Sequence, residues 1–565
     1  MIRLIHSKRF TSVVLIALFL MTSSGLLANN AKISPDLQAL LSNPSANVNV
    51  IVQYSKPPSC SGLLGGLLCG TLNLLGGVLK TTFSLLNAVS ATVQVGNIVN
   101  LSNQSNVVYI SLDRPVVAAL DYTTAAVNAP MAWNSGLTGT GIGVAVIDSG
   151  IYNHPDLNNK SGQSRVVYRQ SFVTGGVMND DYGHGTHVAG ILGGNGSMSA
   201  LPGSSRLLSG IAPNVNLLDL RVLDENGSGS DSQVIAAIQE AVQLKSKYNV
   251  RVINLSLGRP IYESCAIDPL CQAVEAAWAN GIVVVTAAGN LGRNGYSTVT
   301  APGNSPHAIT VGCMNTMKTY TRSDDVIASY SSKGPTYIDL TLKPDVVAPG
   351  NLVVSLLDPG STLEAQYPAN VMPPSYYMGS AGTGPAEYFQ LSGTSMATPV
   401  ISAAAALMLQ KTPTLTPDTV KARLMQTATK NFPLTSTATD PTTGDTYVST
   451  YDIFTVGAGY VDINAALGST ATTQSSAQSP SVLYNVLNAA LNLTVGSGQI
   501  WGTNAVWGTN AVWGSSVLLG GTNAVWGSNA VWGSNAVWGT NAVWGSNAVW
   551  GSNAVWGSTT GYGEE

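Results

Sequence analysis

The chain has 565 residues, enough for roughly two to four domains and a large core. Its formal charge is -4, which gives no reason to expect nucleic acid or another polyanion as a partner. Charged residues make up only 10%, against roughly 25% in ordinary soluble proteins. Gly, Ser, Thr, Asn and Ala fill the difference, so neutral polar groups wet the surface. That composition suits an exported protein without proving export.

In chain order, Lys8 and Arg9 precede the apolar run "FTSVVLIALFLM" and the small-residue stretch "TSSGLLA". This pattern predicts a signal peptide over 1–28, cut after Ala28, and hence a secreted protein. An uncleaved anchor is the alternative, but the apolar run falls short of the roughly 20 residues that span a bilayer. Residues 29–120 read as a small α+β unit. It has strand-like "VNVIVQY" (48–54), helix-like "TTFSLLNAVSATV" (81–93) and strand-like "NVVYISL" (106–112). Between them lies "SGLLGGLLCGTLNLLGGVL" (61–79), long enough to span a membrane but rich in helix-weakening glycine. It reads as an insertion, with a membrane-active segment as the alternative.

Residues 126–468 alternate buried-looking strands with helical patterns. "GVAVID" (143–148), "VNLLDLRVL" (215–223), "VRVINLSL" (250–257), "GIVVVTAA" (281–288) and "AITVGC" (308–313) are Val- and Ile-rich runs. Such runs are strands covered on both faces. "SDSQVIAAIQEAVQLKSKY" opens on the capping box Ser230-x-x-Gln233. "DPLCQAVEAAWANG" is a second helix, closed by Gly281. The expected fold class is α/β, a parallel sheet flanked by helices on both faces, with ligands at the carboxyl ends of the strands. Of the five cysteines, Cys265 and Cys271 lie close in sequence. In a secreted protein they predict a local disulfide, with free thiols as the alternative. Cys313 ends a strand and reads as a small buried residue.

Residues 469–494 read as a linker, and "TTQSSAQSPS" (472–481) has a linker's composition. From 495 to 565 the chain repeats "NAVWG" eight times, mostly every six residues, and carries nine of the eleven tryptophans. In an extended strand an even period would keep Ala, Trp and Ser/Thr on one side and Asn, Val and Gly on the other. Stacked copies could form Trp and Asn ladders. A disordered tail is the alternative for so Gly-rich a segment.

The reactive groups sit where a parallel sheet puts them. "GVAVIDSG" runs a buried strand into Asp148. "GHGTHVAGIL" places His184 at the head of an apolar helix, with His187 three residues on. "GTSMATPV" puts Ser395 at the head of another helix, with Pro399 in its early part. A helix start offers free N–H groups and positive potential to a developing negative charge. A serine nucleophile needs a base, and that base needs an orienting acid. Each piece alone is common: a strand-end Asp is usually a cap, and a lone His is usually structural.

The order Asp, His, Ser is the order in subtilisin. "DSG", "HGTHVAG" and "GTSMATP" closely resemble the three motifs of the subtilisin-like serine proteases, the subtilases. "AAGN" (287–290), "KPDVVAPG" (343–350) and "GYVDINAAL" (459–467) extend the resemblance over about 126–468. The resemblance implies a serine endopeptidase in which Ser395 is nucleophile, His184 general base then acid, and Asp148 the orienting carboxylate. His187 is the alternative base. It implies that Asn290 donates to the oxyanion beside the Ser395 amide. It also implies that Gly227, Ser228, Gly229 and Ser256, Leu257, Gly258 bind an extended peptide as an added strand. Asp156 in "HPDL" matches a calcium ligand of that family, which leaves a structural calcium open, although no second calcium loop is evident in "GGNGSMSALPGSS"; the chemistry itself needs no cofactor. Residues 29–120 are similar to the family's inhibitory propeptide through "NAVSATV" and "NVVYISLDRPV", which implies an autoprocessed zymogen. Its cut is expected near Asp121 to Asn128. The expected partners are protein or peptide substrates and the chain's own propeptide. The long loops 194–209, 355–390 and 431–455 depart from the family pattern. A reading of a different class is a surface or matrix protein, in which the repeat mediates self-association or attachment and the protease domain is a scaffold.

Overall fold

The computed structural model describes residues 32–56, 77–83, 87–113, 121–201, 204–379, 382–473, 476–485, 490–494, 515–519, 525–526, 555–557 and 564. The expected signal peptide, Cys60, most of the Gly-rich insertion with Cys69, and most of the repeat lie outside these residues. Two compact units are present, Met1–Val117 and Ala118–Glu565.

The first unit is an antiparallel sheet in the order β2-β3-β1-β4, built from β1 (Asn47–Tyr54), β2 (Val78–Phe83), β3 (Ala88–Gln94) and β4 (Val107–Leu112). The short helices α1 (Pro35–Ala39) and α2 (Ile98–Ser102) bury Leu37, Ile98 and Leu101 with Val50, Val52 and Ile110. The helix expected over 81–93 is instead a strand pair, β2 and β3. Val89, Ala91 and Val93 enter the core at a spacing of two. Asn87, with φ at 49°, sits in the left-handed region just before β3. The β-branched content of "TTF" and "AVSATV" favours the strand pair.

In the second unit, the main eight-stranded sheet runs β13-β12-β11-β9-β5-β7-β6, with β14 also pairing β12. These strands are β5 (Gly143–Asp148), β6 (Val166–Ser171), β7 (Asn216–Arg221), β9 (Val250–Leu255), β11 (Val283–Ala287), β12 (Ile309–Asn315), β13 (Val326–Ile327) and β14 (Val346–Pro349). All pair parallel except the two-residue β13, so the sheet is mixed rather than purely parallel. Every residue of β5, β11 and β12 is buried, as expected for strands covered on both faces. The helices α3 (His184–Gly193) and α6 (Thr394–Lys411) pack together, and α6 lies along β9, β11, β12 and β14. Likewise α4 (Asp231–Gln243) and α5 (Pro269–Ala279) pack together against β5, β9 and β11. Ser230 N–H donates to Gln233 Oε1 at 2.8 Å at the head of α4, and Gly281, at φ 75°, follows α5. The helix α7 (Pro417–Thr427) brings Lys421 into the core.

The remaining strands are short. They are β8 (Ser228–Gly229), β10 (Leu257–Gly258), β15 (Val353–Leu356), β16 (Val371–Met372), β17 (Tyr388–Leu391), the hairpin β18 (Thr435–Thr439) and β19 (Thr446–Thr450), β20 (Ser481–Asn485), β21 (Ala490–Thr494), β22 (Ser515–Leu519), β23 (Val525–Trp526) and β24 (Val555–Gly557). Part of the expected linker is folded onto this unit. Ala477 N–H donates to Asp418 at 2.7 Å, and Leu342 N–H to the Pro480 carbonyl at 2.8 Å. Among the described residues no helix is long and apolar enough to cross a membrane.

Candidate active site

The parallel register sets the site. Val146 of β5 lies opposite Asn254 of β9, so two residues later Asp148 is level with Ser256 at the carboxyl edge of adjacent strands. Strands in a sheet are about 4.8 Å apart. Asp148 therefore leaves β5 next to the point where Ser256 leaves β9.

His184 is brought to this edge by α3. Its second residue, Gly185, makes the approach possible, because a Cβ there would meet the Gly150 carbonyl oxygen at 2.2 Å. Asp180, fully buried, ties the helix head down. It accepts from the N–H groups of Gly183 (2.8 Å) and Thr186 (2.7 Å) and the hydroxyls of Thr186 (2.6 Å) and Ser149 (2.7 Å). Burial pushes its carboxyl up despite these four donors. His184 Nδ1 then lies 2.7 Å from Asp148 Oδ1. Burial alone would lower the imidazole's pKa. The Asp148 charge and hydrogen bond, with the Asp180 charge, outweigh it and raise the pKa above the ordinary 6.5. Nε2 of His184 is buried and has no hydrogen-bond partner among the described residues, and neither does Asp148 Oδ2.

Ser395 is anchored by a defect in its own helix. Pro399 lies in the second turn of α6 rather than the first, and it has no N–H to give to the carbonyl four residues back. That carbonyl belongs to Ser395, and it accepts instead from Ser256 Oγ at 2.8 Å. Ser395 Oγ in turn donates to the Ser256 carbonyl at 2.9 Å. The hydroxyl is thus held on β9's exit, beside the exit of β5, in a rotamer that does not engage His184.

Asn290 follows β11. Thr394 N–H and Oγ1 both donate to its Oδ1, at 2.9 and 3.1 Å. With the amide oxygen committed to those donors, the NH₂ group must face the other way. Gly289 N–H donates to Thr394 Oγ1 at 3.1 Å, which closes the link between the "AAGN" turn and the serine's helix.

His187 is different in kind. Its Nε2 meets the carbonyls of Val353 (3.1 Å) and Phe389 (3.0 Å). Carbonyls only accept, so Nε2 carries the proton. Burial, aided by the nearby His184, lowers its pKa to about 3. It is a neutral ring whose bonded nitrogen faces the carbonyls of β15 and β17.

The six expected substrate-binding residues form two segments. Leu257–Gly258 is β10 and Ser228–Gly229 is β8, with Gly227 at φ 72° leading into it. Gly229 has no room for a side chain, since a Cβ would meet the Val222 carbonyl at 2.4 Å. β24 lies between them, antiparallel to both.

The family model "Subtilase family" matches residues 139–447. The chain belongs to the subtilase family. It is 40% identical over 329 residues to "Serine protease AprX" of Bacillus subtilis (strain 168), covering 57% of this chain and 69% of that protein. It is 36% identical over 348 residues to "Subtilisin E" of the same strain, covering 61% and 76%. To "Subtilisin" of Bacillus pumilus it is 37% identical over 313 residues, covering 55% and 92%. The protein is a subtilase-family serine endopeptidase, a hydrolase.

Asp156 does not fit a calcium ion in this subtilase. Its Oδ1 accepts from Ser197 Oγ and Met198 N–H, both at 2.8 Å, and its Oδ2 from Tyr388 OH at 2.6 Å. Calcium needs six to eight oxygen acceptors, whereas donors converge here. The long loop 194–209 supplies two of them. Cys265 and Cys271 are disulfide-bonded, with Cα atoms 5.2 Å apart. The same two sulfurs, with Glu275, are the one His/Cys/Asp/Glu group of metal-binding geometry among the described residues, and a disulfide withholds their thiolates. Cys313 is buried, and burial pushes its thiol up to about 12.

Sequence reasoning missed Asp180 and the double role of Ser256. The first had a signal: an aspartate a few residues before a glycine-led helix is a cap for free N–H groups. The second had none, because the reciprocal bond depends on the fold bringing β9 to Pro399's helix.

Proposed function

We propose that the subtilase is a secreted endopeptidase made as a zymogen, with Ser395, His184 and Asp148 as its catalytic residues. The observation that carries this reading is the buried Asp148–His184 pair at 2.7 Å. Its outer nitrogen is unpartnered among the described residues, at the strand edge where Ser395 is anchored. The mechanism requires the serine side chain to turn toward Nε2, and catalytic hydrogen bonds are commonly loose before substrate arrives.

In this mechanism a peptide lies between β8 and β10 as an added strand, bound through its main chain. His184 Nε2 takes the Ser395 proton as Oγ bonds to the scissile carbonyl carbon. Asp148 holds Nδ1–H and stabilises the imidazolium. The carbonyl oxygen becomes an oxyanion, which accepts from Asn290 NH₂ and the Ser395 N–H. His184 then gives its proton to the leaving amine. Water, deprotonated by the same imidazole, hydrolyses the acyl-enzyme. Residues 29–120 serve as propeptide and inhibitor. The described part of that unit, a four-stranded sheet with two short helices, is a fold of a size suited to the role.

The test compares wild type with Ser395→Ala on casein while following the size of the secreted band. Wild type shortens itself and digests casein. Ser395→Ala does neither, with kcat down about 10⁶-fold, the loss that the same change produces in subtilisin. An alanine variant that still matures and cleaves refutes the assignment.

A further inference from the structure

The last residues of the chain meet the catalytic unit at two places. Trp556 pairs with Gly258 on one side and Ser228 on the other, while Gly557 pairs with Leu257 and Val555 with Gly229. Its own repeat thus fills the strand position that an extended peptide would take. Seven residues on, Glu564 is fully buried. Arg293 NH2 is 2.8 Å from its Oε1, and the Ser329 hydroxyl bonds the same oxygen. Ser329 N–H donates to Oε2 at 2.7 Å. Its main chain is held as well. Asn351 Nδ2 and Asn315 Nδ2 donate to its carbonyl at 2.8 and 3.1 Å, and its N–H donates to Asn351 Oδ1 at 2.9 Å.

This is a built pocket. A buried carboxylate is costly unless a cation and hydrogen bonds meet it, and here every oxygen is met. The pocket also adjoins the reactive serine. Asn351 follows Gly350, whose carbonyl accepts from the N–H of Gly393, two residues before Ser395. Arg293 follows Asn290 by three residues. Ser256, next to the β10 pairing, is bonded to Ser395 from the other direction. Both attachment points are thus linked by hydrogen bonds to the segment that carries Ser395.

We propose that Arg293, Ser329, Asn315 and Asn351 form a glutamate-binding site that takes Glu564 of the chain's own C-terminus and so seats Val555–Gly557 in the substrate groove. The inference rests on the reading of β8 and β10 as that groove. The tail is an in-cis ligand of the protease, competing with substrate for the same main-chain hydrogen bonds. The pocket's ligand class is an extended peptide with a glutamate beyond the reacting bond.

The test places the photo-crosslinker p-benzoylphenylalanine at position 556 of the full chain, in a Ser395→Ala background that prevents self-cleavage. The expected product is a crosslink within one chain to residues 228–229 or 257–258. Glu564→Gln is expected to cut its yield at least about fivefold. No crosslink to those segments, a crosslink found only between chains, or a yield indifferent to Glu564→Gln overturns the proposal. A second arm uses active enzyme and a short chromogenic peptide. A chain ending at residue 552 is expected to show a KM roughly tenfold lower than full length, with kcat within about twofold. Added peptide 553–565 restores the high KM competitively. Its Glu564→Gln form inhibits about 10- to 100-fold more weakly, the worth of a charge-assisted hydrogen bond. Equal KM for the two chains counts against the proposal. If neither chain hydrolyses anything, the proposed function fails, while the crosslink still decides the docking.

Discussion

At the leading edge of β12 and β14, Lys343, Asp345 and Lys421 are fully buried; at the trailing edge of β5 and β9, so are His184 and Ser395, with Asp148 at 1% exposure. The first cluster is saturated. Asp345 Oδ2 accepts from Lys343 Nζ (2.7 Å) and Thr310 N–H (2.8 Å), and Oδ1 accepts from Ser479 Oγ (2.5 Å) with Lys421 Nζ at 3.1 Å. Lys343 also reaches the Ala308 carbonyl, and Lys421 those of Pro306 and His307. The second cluster leaves Asp148 Oδ2 and His184 Nε2 without partners among the described residues. Buried polar atoms are nearly always paired, and an exception asks for a reason. Both clusters are buried charge in one sheet, so burial alone does not mark function. The saturated cluster has nowhere to send a proton, and the open one does.

The largest effect that could break this contrast is on Asp148. Asp148→Asn is expected to lower kcat about 10⁴-fold, as the equivalent change does in a serine protease triad, with little change in the urea midpoint. In the proposed mechanism catalysis needs neutral His184, whose pKa is raised, so the acid limb of kcat/KM is expected above pH 6.5 in wild type. Without the Asp148 charge that limb moves down. A limb that stays put removes His184 as the titrating base. At the other edge, Asp345→Asn strands two buried ammonium groups and is expected to cost about 3–5 kcal/mol of stability. Its kcat below the melting range should match wild type. Burial pushes the Asp345 carboxyl up, but the two lysines outweigh it and hold it below the usual 3.8. Its contribution is therefore complete at neutral pH and lost only as pH falls through that lowered value. A kcat loss rivalling that of Asp148→Asn would erase the distinction between the edges. Asn290→Ala should lower kcat about 10²–10³-fold at nearly constant KM, a magnitude carried over from subtilisin's own asparagine. A change confined to KM would make Asn290 a substrate contact instead.

Much of the trailing edge was legible in sequence. The run of β5 into Asp148 and the two glycine-led helix starts at His184 and Ser395 are local patterns that survive folding unchanged. The leading edge was not legible. Lys343 and Asp345 lie within "KPDVVAPG", but Lys421 and Ser479 reach them from 76 and 134 residues further on. No local period encodes such a meeting. The same non-locality explains why 472–481 read as linker, although Ser479 completes the Asp345 shell. The surroundings of Asp156 were hidden for a related reason. The motif gave one oxygen ligand, and the donors that satisfy it arrive from 197–198 and 388. The helix expected over 81–93 failed locally: its β-branched residues favour strand, and β2 and β3 on either side of Asn87 pair with each other.

The smallest effect belongs to His187, which sits on α3 between the two extremes, buried but with one ring nitrogen satisfied. His187→Gln keeps a side-chain N–H donor for the Val353 or Phe389 carbonyl, so the expected stability loss at pH 8 is about 1–2 kcal/mol. The acid limb of kcat/KM should not move, since the ring proposed to titrate with activity is His184. Stability against pH carries the sharper signature. His187's folded pKa is about 3, against 6.5 when unfolded, so between those values the unfolded chain binds the extra proton and stability falls on acidification. At a slope that approaches about 1.36 kcal/mol per pH unit, wild type loses about 1.6 kcal/mol to this residue between pH 6.5 and 5. The glutamine variant lacks that slope, so the two denaturation curves converge toward pH 5 instead of running parallel. Parallel curves would mean that His187 becomes protonated inside the fold and that its two carbonyl contacts do not fix it as a neutral donor. A vanished activity limb would instead make it the base, and the contrast between saturated and open buried groups would then have picked the wrong histidine.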